Sequence, residues 1–217
     1  MYNNCNKIVL TMILSFLSLS TVSSSGKKDI DVMTNATTQM TNPGYGEYSG
    51  DSKILIILFS SQSNNTIKIA NAIAKVLDAE INSPQQVNLN DLQKYDLIGF
   101  GSGIFDEKHH VSLLELVDRL PPFPNKKTFI FSTSGISRNS LPEHDDPHTA
   151  LREMLTTKGF NIIGEFNCVG FNNNSFLKII GGMNKGRPNN DDVRQAEEFA
   201  GNLLYNVIDE RLSGRDI

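Results

Sequence analysis

The stretch KILIILFSSQSNNTIKIANAIAKVL, Lys53 to Leu77, decides the fold. Six apolar residues, Ile54 to Phe59, end at a run of hydroxyl and amide side chains. An apolar stripe then resumes at Ile69, Ile73, Val76 and Leu77, with Ala70 and Ala74 beside it. The first run reads as a buried strand and the second predicts a helix from about Thr66. A strand that turns directly into a helix leaves unpaired backbone N–H groups and the positive end of the helix dipole at the turn, which favours an anion, phosphate above all. Ser61, Ser63 and Thr66 add hydroxyl donors there. Asn64 stands where a glycine would ease the turn, and Asn tolerates left-handed backbone better than other side chains do. The loop itself holds no Lys or Arg, and Lys68 in the first helical turn reads as a solvated charge. The alternative is a helix capped by its own Ser and Asn side chains, with no ligand.

Outward from this unit, strand and helix alternate five times. A short second strand is expected near Ala79 to Ile81, a third at Asp96 to Gly101, a fourth at Lys127 to Ser132 and a fifth at Phe160 to Val169. Between strands three and four, a helix turns Val111, Leu114 and Val117 inward, with Leu113 and Leu120 nearby, and stops at Pro121 and Pro122. Asp146 reads as the cap of a helix that opens on Pro147, buries Leu151, Met154 and Leu155 and ends at Gly159. A last helix from about Asp191 carries Val193, Ala196, Phe199, Ala200, Leu203, Leu204 and Val207. Near-continuous apolar strands separated by helices indicate an α/β fold: a doubly wound, five-stranded parallel sheet covered on both faces.

The chain has 217 residues, 39% hydrophobic and 20% charged, with a formal net charge of -4. That length suits one well-filled core. The absence of any basic run removes electrostatic support for nucleic acid or an anionic membrane surface as partner. Residues 8–22, IVLTMILSFLSLSTV, are apolar, follow Lys7 and precede small residues, so residues 1–25 read as a signal peptide or, alternatively, an uncleaved signal anchor. The expected localisation is accordingly secreted or in the secretory pathway, or membrane-anchored if the leader is kept. Residues 26–52 read as a disordered polar spacer, 53–209 as the folded domain and 210–217 as a tail. Of two cysteines, Cys5 lies ahead of the apolar run, so a cleaved product keeps only Cys168, read as a small buried hydrophobe. Asn35, Asn64 and Asn173 each satisfy the glycosylation acceptor rule. A glycan on Asn64 would fill the space meant for phosphate, so on a secreted eukaryotic chain modification is expected at Asn35 and not at Asn64, or else the phosphate site is empty.

In open doubly wound sheets, ligands bind beyond the carboxyl ends of the strands. The loops there read SSQSNN, GSGIFDEKHH and STSGISRNS, all rich in small hydroxyl residues and glycine. The order strand, S-x-S-N-N-T, helix resembles the phosphate loop of flavodoxins, T/S-x-T/S-G-x-T, with Ser61, Ser63, Asn65 and Thr66 on the pattern and Asn64 at its glycine. The resemblance extends from about Lys53 to Val207 and implies a flavodoxin-like sheet of strand order 2-1-3-4-5 that binds flavin mononucleotide (FMN). It implies that backbone groups of Ser102, Gly103 and Ile104 and of Thr133, Ser134 and Gly135 meet the flavin ring and its polar edge. Of the aromatics, it places only Phe105 against a ring face. The segment GEFNCVGF to IIGGMNKGRPNNDDVRQAEEFA also resembles this superfamily, without a chemical role.

The implied function is electron transfer or FMN-dependent oxidoreduction, with a redox partner protein or a small-molecule electron acceptor. The alternative is a binding module that keeps the fold and has lost the cofactor. Lys108, His109 and His110 read as a basic cluster beside the ring, which would stabilise a reduced, anionic flavin. A metal at these histidines, or at His144, Asp145, Asp146 and His148, is disfavoured against helix capping. Neither G-x-S-x-G nor H-E-x-x-H occurs, so hydrolysis has no local motif.

Overall fold

The computed structural model describes residues 52–213, apart from 62, 143–145, 174–176 and 178. The segment read as a leader, the spacer up to residue 51, positions 144 and 145 of the acidic histidine motif, and residues 214–217 lie outside the described residues.

Strand β1 (Ile54–Phe59) runs into α1 (Asn65–Leu77), and β2 (Glu80–Asn82) follows. Strand β3 (Leu97–Phe105) pairs antiparallel with the two-residue β4 (Lys108–His109), ahead of α2 (Val111–Asp118). Then come β5 (Lys127–Ser134), α3 (Thr149–Thr157), β6 (Asn161–Val169) and α4 (Asn190–Ser213). The sheet order is β2-β1-β3-β5-β6, and every pairing along it is parallel. The five strands anticipated from the sequence thus take the order expected of them, and β4 is an addition.

Alternate β1 residues enter different cores because successive strand side chains point to opposite faces. Ile54, Ile56 and Leu58 pack with Ile69 and Ile73 of α1 and Ala196, Ala200 and Leu203 of α4. Leu55 and Ile57 pack with Leu113, Leu116 and Val117 of α2 and Leu151 and Leu155 of α3. Gly99 and Gly101 stand in register with Phe129 and Phe131, and a Cβ on either glycine would overlap the facing phenyl ring. Two glycines of the GFGSG run therefore serve packing across the sheet, not a ligand.

Three local expectations change. The turn between β3 and β4 uses Asp106 and Glu107, both at positive φ (45° and 64°), the conformation a two-residue hairpin requires. Glu is not a usual residue for such a turn, so the hairpin leaves no sequence signature. His110 then caps α2 by accepting from the Ser112 N–H, which turns Val111 out to 58% exposure and buries Leu113 and Leu116 with Val117. The third helix begins at Thr149, not Pro147; Asp146 accepts from the His148 N–H at 3.1 Å, in the turn that precedes it. Helix α4 continues to Ser213. Among the described residues no helix is long and apolar enough to cross a membrane.

Candidate functional site

The carboxyl ends of β1, β3, β5 and β6 converge on a cleft. Its walls are Ser61, Ser63, Asn65 and Thr66 from the first loop, Gly103, Ile104 and Phe105 from β3, and Thr133, Ser134 and Gly135 from β5. Those ten of the residues singled out in the sequence are brought together. Two are not. Asn64 faces a separate, shallower recess shared with Lys68, Arg187 and Pro188. Ser102 is fully buried inside the ladder, paired with Phe59 on one side and Ser132 on the other.

The first loop is shaped by main chain. Asn64 adopts the left-handed conformation (φ 57°) in place of a glycine, its N–H donating to the Ser61 carbonyl at 3.1 Å, and its side chain forms no cap. The Ser60 hydroxyl accepts from the Ile67 N–H at 3.3 Å, and Ser61 and Ser63 hydroxyls lie 3.0 Å apart. Helix α1 therefore presents its N-terminus to the cleft without a side-chain cap from Asn64. Thr66 is buried, its hydroxyl 2.8 Å from that of Thr133, which ties the loop to β5. Lys68 is not a free surface charge: its ammonium donates to the Pro188 carbonyl at 2.6 Å and so holds the segment before α4 against α1.

A fourth wall, Gly170, Phe171, Asn172 and Asn173, comes from the chain after β6. It belongs to the stretch that carried a family likeness and no assigned role. Asn65 anchors it by donating to the Phe171 carbonyl at 2.8 Å, and a Cβ on Gly170 would collide with that Asn65 amide. The cleft thus has a second aromatic, Phe171, besides Phe105. Phe105 packs edge-on against Phe59 and His110, whose rings stack with centroids 3.4 Å apart. None of the fourteen lining residues is charged, so nothing repels an anion at the helix terminus.

Beneath the cleft, on the α2 and α3 face, lies a polar layer that the sequence did not suggest. Register places Phe59, Ser102, Ser132 and Asn167 side by side across four strands. His109 is buried, with Nδ1 2.8 Å from the Ser102 hydroxyl. That hydroxyl also accepts from the His110 N–H and donates to the Gly103 carbonyl, so the network assigns the Nδ1–H tautomer to His109 and leaves its buried Nε2 as a bare lone pair. Burial, reinforced by the neighbouring His148, drives the His109 pKa well below its ordinary value. His110 is also lowered by burial. The expected basic cluster beside the ring is therefore reduced to Lys108, because desolvation keeps both imidazoles neutral.

His148 is fully buried between the Ser132 hydroxyl (Nε2, 2.7 Å) and Glu165 (Nδ1, 2.9 Å). Glu165 also receives Arg152 at 2.6 and 2.9 Å and Arg138 at 2.8 Å, and Asp146 bridges the same two guanidinium groups. Burial alone would raise both carboxyls, but the arginine bonds outweigh it: Asp146 is held at about 2 and Glu165 far below the usual carboxylate range. Burial lowers His148 against the opposing pull of Glu165. The serine, histidine and carboxylate have the order of a hydrolytic triad, yet Ser132 is 0% exposed and no substrate reaches it. Among the described residues no group of three metal-binding side chains exists. Cys168 is buried and its thiol is pushed up to about 12, as an inert hydrophobe.

Comparison with known proteins follows the same geometry. The flavodoxin domain family matches residues 56–160, from β1 to the threshold of β6. An uncharacterised protein of Methanocaldococcus jannaschii is 44% identical over 154 residues, which cover 71% of this chain and 99% of that one. A flavodoxin of Streptococcus pneumoniae superimposes with a TM-score of 0.52 at 15% identity, covering 70% of this chain and 99% of its own. Oxidised flavodoxin 2 of Bacillus cereus does so at 0.50 and 20%, covering 69% and 95%. At such identities the two structures speak for the fold alone. With a relative matched end to end and the family spanning most of the walls of the cleft, the chain belongs to the flavodoxin-like family.

Proposed function

We propose that the domain binds FMN in this cleft and passes electrons, as a carrier or as an FMN-dependent oxidoreductase, to a redox partner protein or a small-molecule acceptor. The observation that carries the reading is the N-terminus of α1, left uncapped by the Asn64 side chain and open to a cleft lined by hydroxyls and amides and by no carboxylate. The residues fit the group. Ser61, Ser63 and Thr66, with the backbone N–H groups of the first helical turn, would hold the phosphate; such donors at a helix N-terminus favour a dianion without a cationic side chain. Gly103 and Gly135 present bare backbone, and Phe105 and Phe171 supply apolar surface for a planar ring. Bound there, a flavin supplies one- and two-electron redox chemistry. The chain's part is to hold it, exclude water from one side and set the surrounding charge, which is that of an uncharged wall.

Titration of the purified protein with FMN and with riboflavin, followed by quenching of flavin fluorescence, tests this. FMN is expected to bind at least about tenfold more tightly than riboflavin, a difference of about 1.4 kcal/mol contributed by the phosphate site. Ser63→Ala is expected to narrow that gap by weakening FMN alone. Failure of both flavins to bind would leave the alternative, a cofactor-free binding module.

A further inference from the structure

We propose that Asn167 is the positioning residue of the cleft, fixing the turn 134–138 in the shape that receives the ring, and that a one-way hydrogen-bond relay from Glu165 orients it. This rests on the flavin reading of the cleft.

The direction of every bond in the relay follows from what each group can donate. The Glu165 carboxylate only accepts, so the proton of His148 sits on Nδ1. Nε2 is then an acceptor, and the Ser132 hydroxyl donates to it. The oxygen of Ser132 in turn accepts from Nδ2 of Asn167 at 2.9 Å. This sets the amide unambiguously: Nδ2 also donates to the Ser134 hydroxyl at 3.2 Å, and Oδ1 accepts from the Arg138 N–H at 3.0 Å. Ser134, left with its own proton, donates to the Ile136 carbonyl. One amide on β6 therefore grips both ends of the turn whose first residues, Ser134 and Gly135, form a wall of the cleft.

The relay works only while His148 is neutral. A proton on Nε2 would face the Ser132 hydroxyl donor to donor. Turning the Asn167 amide to accept from Ser132 would then set its NH₂ against the Arg138 N–H. The first breaks the relay at Ser132, and the second costs the turn its bond from the Arg138 N–H, so the amide is no longer held in one orientation. The groups facing His148 are Glu165 on β6, Ser132 on β5, Arg152 on α3, His109 on β4, and Arg138 and Asp146 in the connecting loop. Of these, Arg138, Arg152, Asp146 and Glu165 form a set of two positive and two negative charges, so a charged His148 would be the uncompensated one.

The test compares the full chain with Asn167→Leu and Ser132→Ala. Asn167→Leu removes both donors to the serines and the acceptor of the Arg138 N–H, and keeps the approximate size of the side chain. Amide hydrogen exchange of the ligand-free proteins is expected to quicken at least tenfold at Arg138 in Asn167→Leu and to stay unchanged at Phe129 to Phe131. Riboflavin affinity, which does not involve the phosphate site, is expected to drop at least tenfold. In the wild type this affinity is expected to hold at pH 6.5, the ordinary imidazole value, and to weaken only as pH falls towards the lower value at which the buried His148 takes up its proton. Ser132→Ala, which cuts His148 off from Asn167, is expected to abolish that pH dependence and to take the place of Asn167→Leu in the affinity measurement should the latter fold poorly. Unchanged Arg138 exchange, unchanged riboflavin affinity in folded variants, or a pH dependence retained in Ser132→Ala would each overturn the proposal. A wild type that binds neither flavin would overturn the proposed function instead, and the exchange measurement would still decide the role of Asn167.

Discussion

Two polar regions meet at the carboxyl edge of this sheet and are built on opposite terms. The cleft side, from Ser61 to Thr66 and across to Gly135, has no charged lining residue, and its donors are backbone N–H groups and hydroxyls. One residue along the same strands, on the α3 face, Asp146, Glu165, Arg138 and Arg152 crowd around a buried histidine. The contrast teaches where each kind of polarity belongs. Charges that are taken out of water must be mutually paired and stay put, so they hold the frame. Neutral donors left without partners are tolerable at a water-accessible surface and stay available for a ligand.

The sharpest way to break the comparison is to remove charge from the buried side. Glu165→Ala leaves His148 and two arginines without their shared acceptor, and is expected to cost about 3 kcal/mol or more of stability, read from urea unfolding. On the cleft side, Ser63→Ala is expected to shift that midpoint by no more than about 0.5 kcal/mol while weakening FMN. Comparable stability losses from the two would erase the distinction.

Glycines of β3 give a second, smaller contrast. Gly101→Ala drives a methyl into the Phe131 ring and is expected to cost roughly 1–3 kcal/mol, partly recovered by Phe131→Leu. Gly103→Ala instead meets the Phe105 ring edge, 3.0 Å away, and the Thr66 hydroxyl at 3.8 Å, and its effect is expected mainly in flavin affinity. Thermal unfolding and flavin titration of the two variants separate the roles.

Acid sharpens the comparison further. His109 and His148 are both pushed below the ordinary value of 6.5, so as pH falls the unfolded chain takes up these protons first. Their contribution to stability is complete above about pH 6.5 and is lost as pH falls towards their folded values. Asp146 and Glu165, lowered from 3.8 and 4.5, add a second loss below about pH 4. The unfolding midpoint is expected to fall from pH 7 to 5, with a shallower slope in His109→Asn; an equal slope would mean that burial of that imidazole is not what sets it. The smallest effect concerns Cys168: in a Cys5→Ser background the native protein is expected to leave a thiol reagent unreacted until it unfolds.

Much of this molecule was legible before folding. The run Ile54 to Leu77 carries its own change of period, from buried strand to amphipathic helix, and that local pattern located the strand, the helix and the open helix terminus between them. The loops after β3 and β5 announced themselves by composition. What misled was local likeness without knowledge of the facing chain: Gly101 looked like the start of a binding loop and makes room for a phenyl ring, and adjacent histidines looked like exposed cations.

The amino-acid order alone determined the strands, the helices and the parallel α/β class, because periodicity and turn chemistry are short-range properties, whereas the strand order and the ring-facing walls followed from the resemblance of the loops to flavodoxins. Only the tertiary structure decided that Phe171 faces Phe105's cleft, that Lys68 is spent on Pro188, and that Ser132, His148, Glu165 and Asn167 form one relay. Those residues are far apart along the chain and none bears a local pattern. Parallel register brings their strands level, and burial then fixes which of them stay charged.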